Sequence, residues 1–136
     1  PAGDAKLSYV DARDVSAVAA AVLLDPSPHA GRGYALTGPE ALDHQAIAGH
    51  LTAALGCPVR YLALDEDVAR AQLARAGFPP AWVDRLTGFY RVVRAGGCAP
   101  VTGDVAAVLG RPAGAFAAFA RDHRAAWKPV AAVTVG

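Results

Sequence analysis

Methionine is missing altogether from this 136-residue chain, cysteine occurs only twice, and charged residues make up just 18% of it. Each shortage removes a class of explanation. Without an initiating methionine, processing or a boundary inside a longer chain is expected. Cys57 and Cys98 follow no metal or redox spacing, and two thiols make no disulfide framework, so reduced structural thiols in a cytoplasmic protein are expected. No apolar run approaches the ~18 residues of a membrane helix. Pro1-Ala2-Gly3-Asp4 has neither the basic start nor the apolar stretch of a signal peptide. Net charge is +1, with acids and bases intermixed, so neither nucleic acid nor membrane is an expected partner.

Chemical motifs are scarce as well. A dinucleotide site needs a glycine-rich turn between a strand and a helix. Gly31 and Gly33 instead precede an extended stretch, and Gly96-Gly97 follows a helix. The chain alone is therefore expected to bind no cofactor. No G-x-S-x-G elbow surrounds Ser8, Ser16 or Ser27. The tyrosines Tyr9, Tyr34, Tyr61 and Tyr90 are followed four residues on by Arg13, Gly38, Asp65 and Arg94. None forms a Tyr-x-x-x-Lys pair, and arginine is a poor substitute because it stays protonated. His44 and His50 are six apart and face different ways on one helix; His29 lies in a loop, and His123 sits on an apolar stripe as a packing residue. No metal site is expected.

What is present is apolar: 54% of the residues, broken into short amphipathic pieces that suit one domain. Strands are expected near 7–10, 33–36 and 59–64, with helices at 15–24 behind an Asp14 cap and from Asp43 to a stop at Gly56. Further helices are expected at 65–76, 80–95, 104–109 and 115–127, the last ended by Pro129 before a weakly structured tail at 130–136. The alternating first half favours local parallel pairing through right-handed crossovers. Asp65, Glu66 and Asp67 fit helix-start electrostatics, and Arg85, Arg91 and Arg94 read as a solvated helix face.

Tyr9-Val10-Asp11-Ala12-Arg13-Asp14-Val15 and Tyr34-Ala35-Leu36-Thr37-Gly38-Pro39-Glu40-Ala41-Leu42 carry a family likeness. Leu55-Gly56-Cys57-Pro58-Val59-Arg60-Tyr61 and Phe119-Ala120-Arg121-Asp122-His123 extend it in order. Together they resemble the C-terminal part of the NmrA-like, atypical short-chain dehydrogenase/reductase proteins. The resemblance implies an α/β, extended Rossmann-type fold: short strands alternating with helices, then a helical C-terminal half. Residues 1–136 would form one substrate-binding lid portion, while an N-terminal half absent here holds NAD(P)H. Two departures stand out: Cys57 where arginine is common, and Ala115 where a capping Ser or Thr is common.

Carried onto this sequence, the resemblance places substrate contacts at Thr37, Trp82, Phe89, Tyr90 and Arg94. The aromatics would line an apolar pocket, with Thr37 or Arg94 as the polar contact; the same aromatics also suit a plain core role. The implied parent reduces a small quinone-like, carbonyl or imine substrate with NAD(P)H, and this chain is expected to be inactive alone. A non-enzymatic NmrA-like sensor or interaction protein is the alternative. So is an inactive truncation that self-associates through exposed strand edges.

Overall fold

The computed structural model describes residues 1–127; the stop at Pro129 and the tail at 130–136 lie outside them. Six α-helices carry the described chain: α1 Ala12–Leu24, α2 His44–Leu55, α3 Glu66–Arg75, α4 Pro80–Arg94, α5 Asp104–Leu109 and α6 Phe116–Asp122. α1 packs on α5 and α2 on α6, while α3 and α4 form a hairpin. Inward positions are filled by small residues, with Val18, Ala48, Ala69, Val83, Val93, Val105 and Ala120 all buried. Such a core is thin, so the aromatic side chains Tyr9, Tyr61, Tyr90, Phe116 and Phe119 stay half-buried at its margin.

Local chemistry sets the helix ends. The Asp43 carboxylate accepts the Ala46 N–H at 2.7 Å, and Gly56 closes α2 with φ 69°, a left-handed backbone that suits glycine. α1 is capped by Asp11 rather than Asp14: the Asp11 carboxylate accepts the Arg13 N–H at 2.8 Å. Asp14 lies inside the first turn, buried, because a distant segment claims its carboxylate. It accepts the Gly114 N–H at 2.7 Å and pairs with the Arg111 guanidinium at 2.8 Å. A charge-assisted bond of this kind contributes roughly 1.5–3 kcal/mol and here ties α1 to the chain leading into α6. α6 starts at Ala115 with no side-chain cap, and it ends at Asp122 rather than continuing to Trp127. The His123 ring nitrogen Nδ1 lies 3.0 Å from the Phe119 carbonyl, and the chain tightens there into a 3-10 turn, Arg124–Ala126.

The three expected strands form no ladder among the described residues, and no parallel pairing occurs there. One antiparallel bridge remains, with Leu7 and Leu42 exchanging two backbone bonds of 2.9 Å. Elsewhere side chains take the backbone groups that a ladder would use. Asp104 accepts the Ala35 N–H at 2.7 Å, while the Thr102 hydroxyl donates to the Ala35 carbonyl. Thr52 Oγ1 accepts from Val59 N–H at 2.9 Å and donates to the Val59 carbonyl at 3.3 Å.

The charged residues of α3 and α4 likewise have structural partners. Glu66 binds Arg91 at 2.6 Å and Arg94 at 2.8 Å, so these two arginines of an exposed helix face are also paired. Glu66 thus serves the helix hairpin as well as the α3 start, whereas Asp65 makes no side-chain cap. Arg70 adds a bond to the Thr87 hydroxyl at 2.7 Å and an ion pair with Asp84.

Gly38 is buried where the backbone passes directly against the Tyr9 carbonyl, and a methyl group on its Cα would overlap that oxygen. Gly38→Ala should therefore destabilise the chain by about 1–3 kcal/mol, the usual cost of overpacking. Chemical denaturation measures this; a change within error of zero refutes the close passage. The Arg91 and Arg94 hydrogen bonds hold the Glu66 carboxyl down from 4.5 to about 2. Its folded-state pKa is depressed, so its contribution is present above pH 4.5 and is lost as pH falls toward about 2. The stability difference between wild type and Glu66→Gln should shrink across that window, as read from urea midpoints; a difference flat with pH counts against the pairing.

An aromatic cleft beside the start of α2

Three stretches converge on one cavity of about 490 Å³: Leu7, Ser8 and Tyr9 from the extended entry, His44 from the first turn of α2, and Phe89, Tyr90 and Cys98 from α4 and the loop after it. The Leu7–Leu42 bridge sets Tyr9 beside α2, and the Asp43 cap fixes the turn that carries His44. Ser8 ties the entry to the third stretch, its N–H donating to the Cys98 carbonyl at 2.9 Å and its hydroxyl to the same oxygen at 3.2 Å. No lining residue carries a fixed charge.

His44 is the centre of the aromatic contacts. Its ring stacks on Tyr61 at 5.0 Å between centroids and meets Tyr9 edge-on at 6.5 Å and Tyr90 at 6.4 Å. His44 Nε2 is 3.5 Å from the Tyr9 hydroxyl oxygen. His44 Nδ1 and the Tyr61 hydroxyl are both shielded from solvent and have no hydrogen-bond partner among the described residues. Burial is the main cause that pushes the Tyr9 phenol above its usual pKa, aided by the neighbouring Tyr90 and Tyr61 phenols. Burial also pulls the His44 imidazole below its usual range. Both groups are thus held neutral, which suits a cleft for an uncharged molecule with polar edges. A smaller cavity of about 170 Å³ lies on the other side of Tyr9, lined by Val10, Asp11, Gly114, Phe116 and Phe119.

Of the five residues singled out by resemblance, Phe89 and Tyr90 line the larger cavity. Trp82 is 56% exposed, with the Arg85 guanidinium 5.9 Å from its ring centroid. Thr37 Oγ1 accepts the Thr102 N–H at 3.0 Å, and Arg94 binds Glu66 and the Pro1 carbonyl. Neither Thr37 nor Arg94 is among the cavity's lining residues. Tyr9 and His44, which give the cleft its polar end, were not singled out. They lie 35 positions apart, beyond the reach of local spacing. No cluster of three or more metal-ligating side chains occurs among the described residues, and no helix there is long and apolar enough to cross a membrane.

No family model matches the chain. Curated relatives do. The NAD(P)H azoreductase of Xenophilus azovorans is 39% identical over 127 residues, which span 93% of this chain and 44% of that protein. The (4-alkanoyl-5-oxo-2,5-dihydrofuran-3-yl)methyl phosphate reductase of Streptomyces griseus is 38% identical over the same shares. Among solved structures, an NADPH-dependent quinone oxidoreductase from Escherichia coli superposes with a TM-score of 0.78 at 28% identity, over 89% of this chain and 44% of that one. The chain thus spans less than half the length of these relatives.

Because the folded imidazole of His44 is depressed from 6.5, it should stay neutral where the same ring in the unfolded chain has already taken a proton. Stability from this group is therefore lost as pH falls below 6.5. A ring-proton NMR titration should place its midpoint below 6.5; a midpoint at or above that value refutes the buried setting.

Proposed function

The chain is homologous to the C-terminal part of the NmrA-like, Rossmann-type NAD(P)-binding reductases and shares the fold of that part, and on that footing we propose that it is the substrate-facing lid of an NAD(P)H-dependent reductase. The observation that carries this reading is the 39% identity to an NAD(P)H azoreductase across 93% of the chain. Its substrate is a small quinone-like, carbonyl or imine compound. The aromatic cleft supports that choice, since it offers aromatic side chains and neutral polar groups but no charge.

The residues described do not fit the cofactor's pyrophosphate. That group needs open backbone N–H groups at a helix N-terminus, away from negative charge. Here α1 and α2 start on the Asp11 and Asp43 carboxylates, α3 on Asp65, Glu66 and Asp67, α4 on Pro79-Pro80, which has no N–H to offer, α5 on Asp104, and the seven-residue α6 beside the Asp14 carboxylate that holds the Gly114 N–H. We therefore assign the cofactor to a different part of the reductase, and to these residues the binding and orientation of substrate. The cleft's walls exclude water from the face they cover, and Tyr9 and His44 supply its hydrogen-bonding end.

The test uses the polypeptide made from the whole reading frame that contains this sequence. NADPH oxidation should depend on added quinone or azo dye, and the 136-residue chain alone should bind no NADPH. Tight NADPH binding by that chain overturns the division of labour. NADPH binding by the whole polypeptide without turnover of quinone, azo, carbonyl or imine acceptors overturns the reductase reading and favours a sensor.

A further inference from the structure

The hydrogen-bonding end of the cleft has a direction that follows from the buried atoms around it. His44 has two ring nitrogens and, when neutral, one proton to place. If the proton were on Nδ1, a buried N–H would be left with no acceptor, since Nδ1 has no partner among the described residues. An orphaned N–H is the rarer and costlier arrangement; a bare lone pair against an aromatic stack is better tolerated. The proton therefore belongs on Nε2, which faces the Tyr9 hydroxyl oxygen at 3.5 Å. With His44 donating to that oxygen, the Tyr9 O–H cannot point back at His44 and must donate elsewhere. Tyr9 has no other hydrogen-bond partner among the described residues, and it lines the cleft.

We propose that His44 and Tyr9 form a one-way donor chain, His44 Nε2–H to Tyr9 O–H to ligand, by which the cleft selects neutral, planar, conjugated molecules that carry a hydrogen-bond acceptor on the ring edge. A quinone oxygen, a ketone oxygen or an azo nitrogen meets that requirement. A ligand whose edge holds only donors does not, nor does an anion, because no lining residue offers it a cation. The raised Tyr9 and lowered His44 pKa values agree, since each keeps its group in the neutral form the chain requires. The Phe89 and Tyr90 rings, 5.7 Å apart at their centroids and inclined at 61°, supply aromatic faces on that side of the cleft. Tyr9 is here a positioning residue whose bond sets which atom of the ligand lies at the polar end. The identity of the ligand as a reducible acceptor rests on the reductase reading above; the direction of the donor chain does not.

The probes are tetramethylbenzoquinone, whose substituted ring cannot alkylate Cys98, and durene, the same methylated ring without carbonyls. Bound to the full chain, the quinone should shift the amide signals of Phe89, Tyr90 and Cys98. Tyr9→Phe should weaken quinone binding about tenfold, the loss of one neutral hydrogen bond, and leave durene binding unchanged. Durene also reports that the variant has kept its fold. Imidazole nitrogen shifts should show His44 protonated on Nε2. Equal quinone affinity in wild type and Tyr9→Phe, or a proton on Nδ1, overturns the proposal. Tyr9-dependent quinone binding without NADPH turnover supports the donor chain and removes only the reductase reading. Turnover with an unchanged quinone KM in Tyr9→Phe keeps that reading and overturns the donor chain.

Discussion

The passage of the backbone at Gly38 against the Tyr9 carbonyl is the constraint on which the cleft depends. Two extended segments that are not held in a sheet must still be held at a fixed distance, and here contact of bare backbone does it. The Leu7–Leu42 bridge pins one side of this crossing, and Ser8 bonded to the Cys98 carbonyl pins the other. Tyr9 is thereby presented between two cavities, with its hydroxyl toward α2. A side chain at position 38 would press Tyr9 away from His44, so the polar end of the cleft is linked to a residue that contributes no chemistry of its own.

Buried Asp14 plays the complementary part at the other end of the entry segment. Its carboxylate receives the Gly114 amide and the Arg111 guanidinium, and so decides where α6 begins even though Ala115 provides no cap. α6 in turn packs on α2, the helix that carries His44. A charge on α1 thus helps position an imidazole on a different helix, through a helix whose own start is weak.

Much of this was legible in the sequence where the determinant is local. The Asp43 cap, the Gly56 stop and the apolar face of α4 all follow from neighbouring residues, and Phe89 and Tyr90 were singled out along with the helix that bears them. The Asp14 assignment failed because two aspartates three residues apart both suit a helix start; the choice between them was made by Gly114, 100 positions away. Of the strand readings one antiparallel bridge, Leu7 with Leu42, is found and no ladder among the described residues, since Thr52, Thr102 and Asp104 intercept groups that alternation alone assigns to a ladder. Tyr9 and His44 are each weighed in the sequence but not paired, for the same reason. Their meeting is a property of the crossing rather than of either segment.

The two walls of the cleft differ in kind. The Tyr9 wall is fixed by backbone contact and buried bonds, which yield little to solvent. The wall that bears Phe89 and Tyr90 belongs to α4, which buries Val83, Thr87 and Val93 and is tied besides to α3 by Glu66 with Arg91 and Arg94 and by Arg70 with Asp84, in pairs whose arginines all reach solvent. Such contacts are screened by dissolved ions, while close packing is not. Salt in the medium therefore loosens only the outer fastening of the Phe89 and Tyr90 wall and leaves the packing beneath it in place.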